Sequence, residues 1–438
     1  MKMNKNIPEL RFQEFKGSGE WQIKELGELA EELSHKVGSR KYKFMSITSG
    51  KGLVSQVEKF GREIAGSSYR NYIVLRKGDF AYNKSSTKMY PEGEIARLET
   101  EEHGAVPNSI FTCFRFDEER VLSDFAKFPF MKNVHGKWLR KFISVGARAN
   151  GALQVNTKDL FCLPFAFPSL PEQQKIADCL SSLDDLLKAE TEKLEALRAH
   201  KKGLMQQLFP AEGARTPAFR FPEFRGSGDW ESSSFGKLFS FKTTNSFSRD
   251  HLNYESGHAK NIHYGDIHKK FSSHFDISKE VVPYINVGIS LDRIKEESYC
   301  REGDLVFADA SEDVQDIGKC IELISLNGEK ILAGLHTILA RPLERKLAIG
   351  FGGFLFMAPK FRLQLQRESQ GTKVLGISAT RLSNLEVLYP TSLKEQEKIT
   401  DSLLAADKLI KEQSTKLEQM HLHKKGLIQG LFPYSYNE

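Results

Sequence analysis

The chain carries one long segment twice, and any fold for it must place that segment twice. "LPEQQKIADCLSSLDDLLKAETEKLEALRAHKKGLMQQLFP" begins at Leu170 and "LKEQEKITDSLLAADKLIKEQSTKLEQMHLHKKGLIQGLFP" at Leu393; about half of the positions are identical, without a gap. A shorter pair precedes each copy, "PELRFQEFKGSGEWQIKELGEL" at 8–29 and "PAFRFPEFRGSGDWESSSFGKL" at 217–238, so that Trp21 falls on Trp230. The stretches in between, roughly 30–169 and 239–392, resemble each other only faintly. Self-similarity at this scale marks a chain assembled from repeated units. Each unit here reads as an opening motif, a variable domain and a helix.

The helical reading of the repeated segment rests on its apolar spacing. Ile176, Leu180, Leu183, Leu187, Leu194, Leu197, Leu204 and Leu208 step by four, three or seven, and the second copy continues the pattern with Ile399, Leu403, Ile410, Leu417, Met420, Leu427 and Leu431. Such a seam is the mark of a coiled coil. Pro171 suits a first helical turn, and Pro210 and Pro433 end the helices. At about 1.5 Å per residue each helix is a rod of roughly 55 Å. Two rods with matching seams pack most simply on each other, antiparallel, as a stalk between the variable domains. The alternative is that each helix only caps the core of its own domain.

The expected fold class is therefore α+β: two mixed β-rich domains separated by two long antiparallel coiled-coil helices, with a pseudo-twofold internal repeat. The boundaries are a first domain at 1–169, a helix at 170–210, a linker at 211–216, a second domain at 217–392, a helix at 393–433 and a tail at 434–438. In the interiors, "YRNYIVLRKGDFAYNKSS" at 69–86 shows strand segments broken by a Lys-Gly-Asp turn, and "ESYCREGDLVFADAS" at 297–311 echoes it. A chain of 438 residues, 40% apolar and 27% charged, has material for two or three globular domains. The five scattered cysteines form no C-x-x-C pair and read as reduced thiols. "MKMNKNIPELRF" lacks the apolar stretch of a signal peptide, and no run of about 18 apolar residues follows, so a soluble, cytoplasmic protein is expected.

Motifs for chemistry are sparse. An amino-methyltransferase of DNA needs an Asn/Asp-Pro-Pro-aromatic run to hold a flipped base, and the chain has no Pro-Pro. "IGFGGFLF" at 349–356 lacks the spacing and the following helix of a dinucleotide turn and reads as close packing or a bend. There is no P-loop. Glu344-Arg345-Lys346 gives half of a nuclease signature, with no Pro-Asp ahead of it. His251, His258, His263, His268 and His274 are too loosely spaced for a metal site and read as loop histidines. No catalytic and no metal-ligating residue is assigned.

What remains is recognition. A net charge of +6 and a pI of about 8.8 favour a polyanionic partner. "YNKSSTKMY" at 82–90 offers Tyr82, Asn83, Lys84, Ser85, Ser86, Thr87 and Lys88, in which lysines neutralise phosphates, Asn reads adenine edges and hydroxyls bond to either. Arg148 and Asn150 stand between Gly146 and Gly151, where small residues admit a phosphate backbone. "RESQGTKVLG" at 367–376 takes the matching place in the second half with Gln370, Thr372 and Lys373, and "NIHYGDIHKK" at 261–270 adds His263, Tyr264, Asp266, His268 and Lys269.

The "EFxGSGxW" openings, "YGDI" at 264–267, "GLHTILARP" at 334–342, the "EQxKI" helix starts at 172–176 and 395–399 and the "HKKGLxQxLFP" ends together resemble the specificity subunit of a type I restriction–modification system, over essentially all of 8–433. The resemblance implies two target recognition domains that each read one half of a split double-stranded DNA sequence. It implies that the two helices set the gap between half-sites and dock two methyltransferase (modification) subunits, with restriction/translocase subunits completing the complex and no membrane involved. It further implies a chain without an active site, with S-adenosylmethionine, ATP and Mg on the partner subunits, in a complex that methylates adenine N6 or cleaves DNA using ATP. The halves differ at "FMSITSG" (44–50) against "HYGDIHK" and at "VPNSIFTCFRF" (106–116) against "GLHTILARP", so contacts are not expected to transfer from one to the other. Two other readings stay open: a single-chain methyltransferase or nuclease, and a coiled-coil adaptor that binds protein only.

Overall fold

The computed structural model describes residues 6–48, 52–61, 68–143 and 153–433. The chain divides into two compact units, Met1–Thr191 with Thr415–Glu438, and Glu192–Ser414. Both divisions fall inside a long helix, Leu170–Leu208 and Leu393–Leu431, each of 39 residues. Each unit thus holds one β-rich domain, the first half of one long helix and the second half of the other. The domain boundaries read from sequence follow the repeat instead, and the tail at 434–438 lies outside the described residues. Among the described residues no helix is long and apolar enough to cross a membrane.

In the first unit the strands Ala30–Glu32, Phe111–Phe116, Phe80–Asn83 and Glu94–Arg97 lie side by side in that order, all antiparallel. Successive side chains of a strand point to opposite faces. Phe80 and Tyr82 face a cluster with Phe125, Phe130 and Phe165, whereas Ala81 joins Met45, Ile47 and Leu75 of the second sheet. The central strands are covered on both faces, which is why they read as apolar runs and not as alternating ones. The second sheet runs Gly52–Ser55, Lys43–Thr48, His103–Val106, Ile73–Arg76, with Lys43–Thr48 and His103–Val106 parallel.

The second unit repeats this plan with different residues. Its first sheet runs Phe239–Lys242, Thr337–Pro342, Leu305–Ala308, Cys320–Ser325, and adds the edge strand His274–Asp276. Its second sheet again contains one parallel pair, Lys260–Ile262 with Ile331–Ala333. The Lys-Gly-Asp turn and its counterpart share one construction. Gly78 and Gly303 take φ of 96° and 86°, a region open to glycine. The buried carboxylates of Asp79 and Asp304 each accept a backbone N–H, from Arg76 and Arg301, and a two-pronged guanidinium, from Arg115 and Arg341.

All the seam residues of the long helices are at least half-buried. Ile176, Leu180, Leu187, Leu194, Ile399, Leu403 and Leu417 are buried, and Leu183, Leu197, Leu204, Ile410, Met420 and Leu427 are partly so. The helix halves that share a unit run antiparallel. Asp184 pairs with Lys424, and Glu190 with Lys416, in the first unit; Lys201 pairs with Asp407 in the second. Asp184–Lys424 and Asp407–Lys201 occupy corresponding places in the repeat. Capping occurs too. The first turns of each helix enter the domain core, Ile176 and Leu180 beside Trp21 and Phe165, and Ile399 and Leu403 beside Phe351 and Tyr389. The two readings left open by the sequence, seam and cap, describe different turns of the same helices.

The strongest polar joins sit at the helix starts. Glu172 accepts Nε and Nη2 of Arg11 at 2.8 and 2.7 Å, and Glu395 accepts the same atoms of Arg220 at 2.7 Å each. The third guanidinium nitrogen goes to the carbonyl of Gly19 or Gly228. The next residue, Gln173 or Gln396, is also buried; each takes one backbone N–H and donates to two carbonyls. Removing one partner of a buried charge pair strands the other, at a cost of about 3–5 kcal/mol. Glu172→Gln should therefore raise amide exchange over 8–29 by a protection loss of about 3 kcal/mol or more and leave 217–238 unchanged, with Glu395→Gln giving the mirror result. Mass-spectrometric hydrogen exchange of the full chain checks this; equal loss in both segments for either variant would show that the clamps do not act separately.

Candidate nucleic-acid interface

In the second domain, the strands Leu305–Ala308 and Thr337–Pro342 end together, with Ala308 opposite Thr337. One residue beyond, Asp309 donates its N–H to the carbonyl of His336 at 3.1 Å, and its Oδ1 lies 3.2 Å from His336 Nδ1. His336 has φ of 56°, a left-handed conformation uncommon for a residue with a Cβ. The turn holding it is tied on several sides: Thr337 Oγ1 donates to Gly334 O, and Gly334 N donates to Ile262 O. Burial raises the Asp309 carboxyl above its ordinary range, and the nearby His336 opposes this.

Two further elements meet at this strand end. The short helix Tyr264–Lys269 lays Tyr264 against His336, with ring centroids 5.3 Å apart, and places His268 Nε2 2.9 Å from the carbonyl of Ala310. On the other side, Ile377 N donates to Asp309 O, and Ala310–Ser311 pairs with Leu375–Gly376. Gln370 closes the same hairpin by two backbone bonds with Gly376, leaving Thr372 and Lys373 exposed at its tip. Of the sequence candidates, Tyr264, His268, Gln370, Thr372 and Lys373 are thus gathered on one edge, and Lys269 is exposed on the adjoining helix. Asp309, Ser311 and His336 belong to the same edge and were missed. Their only sequence signal was position, directly after one strand and directly before its partner.

Two candidates of this domain turn inward. Asp266 is buried and bound by both outer nitrogens of Arg249 at 2.8 Å and by Lys270 at 3.2 Å. Burial alone would raise its carboxyl, but these cations outweigh burial and hold it below the ordinary range. His263 is buried at the N-terminus of the short helix, where Nδ1 accepts the N–H of Gly265 at 3.1 Å. Both are corrected from DNA contacts to internal supports, because both are buried, with the Asp266 carboxylate bound on both oxygens and His263 Nδ1 taken by the helix start. Of the other histidines, His274 differs from a solvated loop residue, its Nε2 bonding to Gly350 O, whereas His251 and His258 are exposed. Among the described residues no group of three His, Cys, Asp or Glu could hold a metal ion.

The first domain builds the corresponding strand end with other residues. Lys84 N donates to Ile110 O and Leu153 N to Lys84 O, each at 2.8 Å, as Asp309 N does to His336 O and Ile377 N to Asp309 O. Lys84 therefore stands where Asp309 stands, and Ile110 where His336 stands. Burial lowers the Lys84 ammonium, with the Glu32 charge opposing. Asn83 and Ser85 are half-buried, Ser86 and Lys88 are exposed, and Thr87 closes a turn with Tyr90. Arg148 and Asn150 lie outside the described residues. Tyr82 is corrected to a core residue: it is fully buried and its hydroxyl donates to Glu92 O at 2.7 Å.

Beneath this loop, His135 is wholly buried, with Nε2 3.0 Å from the carbonyl of Gly93. Burial pushes its imidazole down to about 4. A folded-state pKa depressed below the unfolded value gives stability that is present above about 6.5 and lost as pH falls through about 4. The difference is worth up to about 3 kcal/mol. Hydrogen exchange over 80–93 should quicken between those pH values once corrected for intrinsic rates, and His135→Gln, which keeps a donor for Gly93 O, should flatten the dependence.

Residues 18–199 match the model of the type I restriction modification DNA specificity domain. Two curated relatives from Methanocaldococcus jannaschii are similar. The putative type I restriction enzyme MjaX specificity subunit is 31% identical over 109 residues, 25% of this chain and 26% of that protein. The type I restriction enzyme MjaVIII specificity subunit is 24% identical over 299 residues, 67% of this chain and 66% of that protein. The match thus spans about a quarter of one relative and just under two-thirds of the other. Among solved structures, the type I restriction–modification S subunit from M. genitalium superposes with a TM-score of 0.54 at 14% identity, covering 97% of this chain and 99% of that one. A chain from a study of complex assembly and conformational transition of the type I R-M system gives 0.56 at 15%, covering 95% and 98%. At these identities the structures speak for the fold.

Proposed function

We propose that the chain is a specificity subunit of the type I restriction–modification family and reads a split DNA sequence, one half with each β-rich domain. The observation that carries this is the strand end built twice on one backbone plan with unlike side chains, Lys84 and Ile110 in one domain and Asp309 and His336 in the other. A repeated enzyme would keep its reacting groups at such a place, whereas a chain that reads two different half-sites would vary them. In this reading the chain is the non-catalytic subunit. S-adenosylmethionine, ATP and Mg then act on partner chains, two modification subunits and, where cleavage occurs, restriction/translocase subunits.

The helices serve spacing and docking. Leu186 and Leu409 take the same place in the two copies and remain 48% and 52% exposed, off the buried seam. An apolar residue exposed at equal positions of a duplicated helix suits two identical partners. Leu186→Asp combined with Leu409→Asp should weaken association with the modification subunits at least tenfold, read by copurification and sedimentation, while helical circular dichroism stays unchanged.

Binding tests the central claim. The full chain with its modification subunits, presented with a DNA library randomised at two half-sites, should select one bipartite sequence at least a thousandfold over non-specific DNA at physiological salt. Selection of no sequence at that salt would remove the proposal, since phosphate contacts alone give binding without preference.

A further inference from the structure

We propose that Asp309 and His336 form a specificity-determining pair of the second domain, presenting hydrogen-bond acceptors to exocyclic amino groups on the edges of DNA bases. The inference rests on the DNA-reading role proposed above. It starts from tautomers. An ionised carboxylate only accepts hydrogen bonds, so the 3.2 Å contact between Asp309 Oδ1 and His336 Nδ1 places the imidazole proton on Nδ1. The neutral ring then has Nε2 as an acceptor, and among the described residues Nε2 has no partner. Asp309 Oδ2 likewise has none. Both side chains are partly open, 30% for Asp309 and 51% for His336.

The backbone supports the same reading. A non-glycine residue held at φ of 56° is a strained conformation, kept here by the bonds of Gly334 and Thr337 around it. A relaxed turn would carry the ring elsewhere. Tyr264 flanks the ring on one side, and the hairpin with Thr372 and Lys373 at its tip joins the same strand end. Hydroxyl and ammonium groups at that tip suit phosphates, which position a protein without reading sequence, while the acceptors suit base edges. In the major groove the exocyclic amines are N4 of cytosine and N6 of adenine, so these are the expected targets. The first domain carries the opposite chemistry at the same place: Lys84 can only donate, and Ile110 only offers apolar contact.

The test uses the full chain assembled with its modification subunits and a DNA library randomised across the second half-site. Wild type should require cytosine or adenine at one or more positions of that half-site. Asp309→Asn, which turns an acceptor oxygen into a donor, and His336→Asn, whose short side chain tolerates the left-handed backbone, should each relax such a position about ten- to hundredfold and leave the first half-site unchanged. Unchanged preference at every position in both variants overturns the proposal. So does uniform weakening on all sequences, the behaviour of a phosphate contact or a structural support. Absence of any bipartite preference in wild type would instead remove the DNA-reading role itself.

Discussion

Two buried guanidinium–carboxylate pairs, Arg11–Glu172 and Arg220–Glu395, join each opening motif to the first turn of a long helix, and most of each unit is arranged around that join. A charge pair this deep is stable only with near-ideal geometry and every remaining polar atom matched. The two-pronged contact, the glycine carbonyl on the third nitrogen and, in the first copy, Trp21 Nε1 donating to Glu172 supply those matches. Once the helix start is held, Ile176 and Leu180, or Ile399 and Leu403, are carried into the domain core. The "EFxGSGxW" and "EQxKI" motifs are two halves of one join, which accounts for their recurring together.

The other end of the repeat closes the same unit from a different copy. Phe209 packs edge-on to Trp230 at 6.0 Å, and Leu204–Pro210 and 217–230 adjoin in sequence. Trp21 meets Phe432 at 5.9 Å in the same manner, and Leu10 N bonds to Gly430 O as Phe219 N bonds to Gln207 O. The first opening motif is therefore covered by the last helix, and the second by the first. Each copy must fit both its own helix start and the other copy's helix end, so neither end can drift without breaking two contacts. This exchange explains why the repeated ends stayed alike over their whole length while the interiors did not.

The ends were legible because their constraints are periodic and local: a seam spaced by three and four, a proline stop, a tryptophan after a glycine turn. The strand order of the interiors was not legible, since strands buried on both faces lose the alternation that would reveal their register. Within the candidate interface, the hairpin bearing Thr372 and Lys373 could be placed because glycines flank it. Tyr82, His263 and Asp266 misled because a polar residue in a lysine-containing stretch looks alike whether it is solvated or bonded inward. Only the partners distinguish them, Glu92 O, Gly265 N and Arg249, and two of these three lie ten or more residues away in sequence. Asp309 and His336 were hidden for the same reason, being 27 residues apart and brought together by the pairing of their strands.

Pairing two strands also explains where variation can be tolerated. Residues inside the central strands face packed clusters on both sides, so a change of size there opens a cavity or forces a clash. The residue after the last ladder position, Asp309 or Lys84, is only partly buried. Its backbone is still fixed, by the N–H of Asp309 or Lys84 on one partner and its carbonyl on another, so whatever side chain it carries is presented from the same point. A carboxylate with an imidazole and a lysine with an isoleucine can then occupy equivalent places at little cost to the fold. Position is set by main-chain bonds that any residue but proline can make, and chemistry is left to the side chain. A scaffold with that division can change what it presents without changing how it folds.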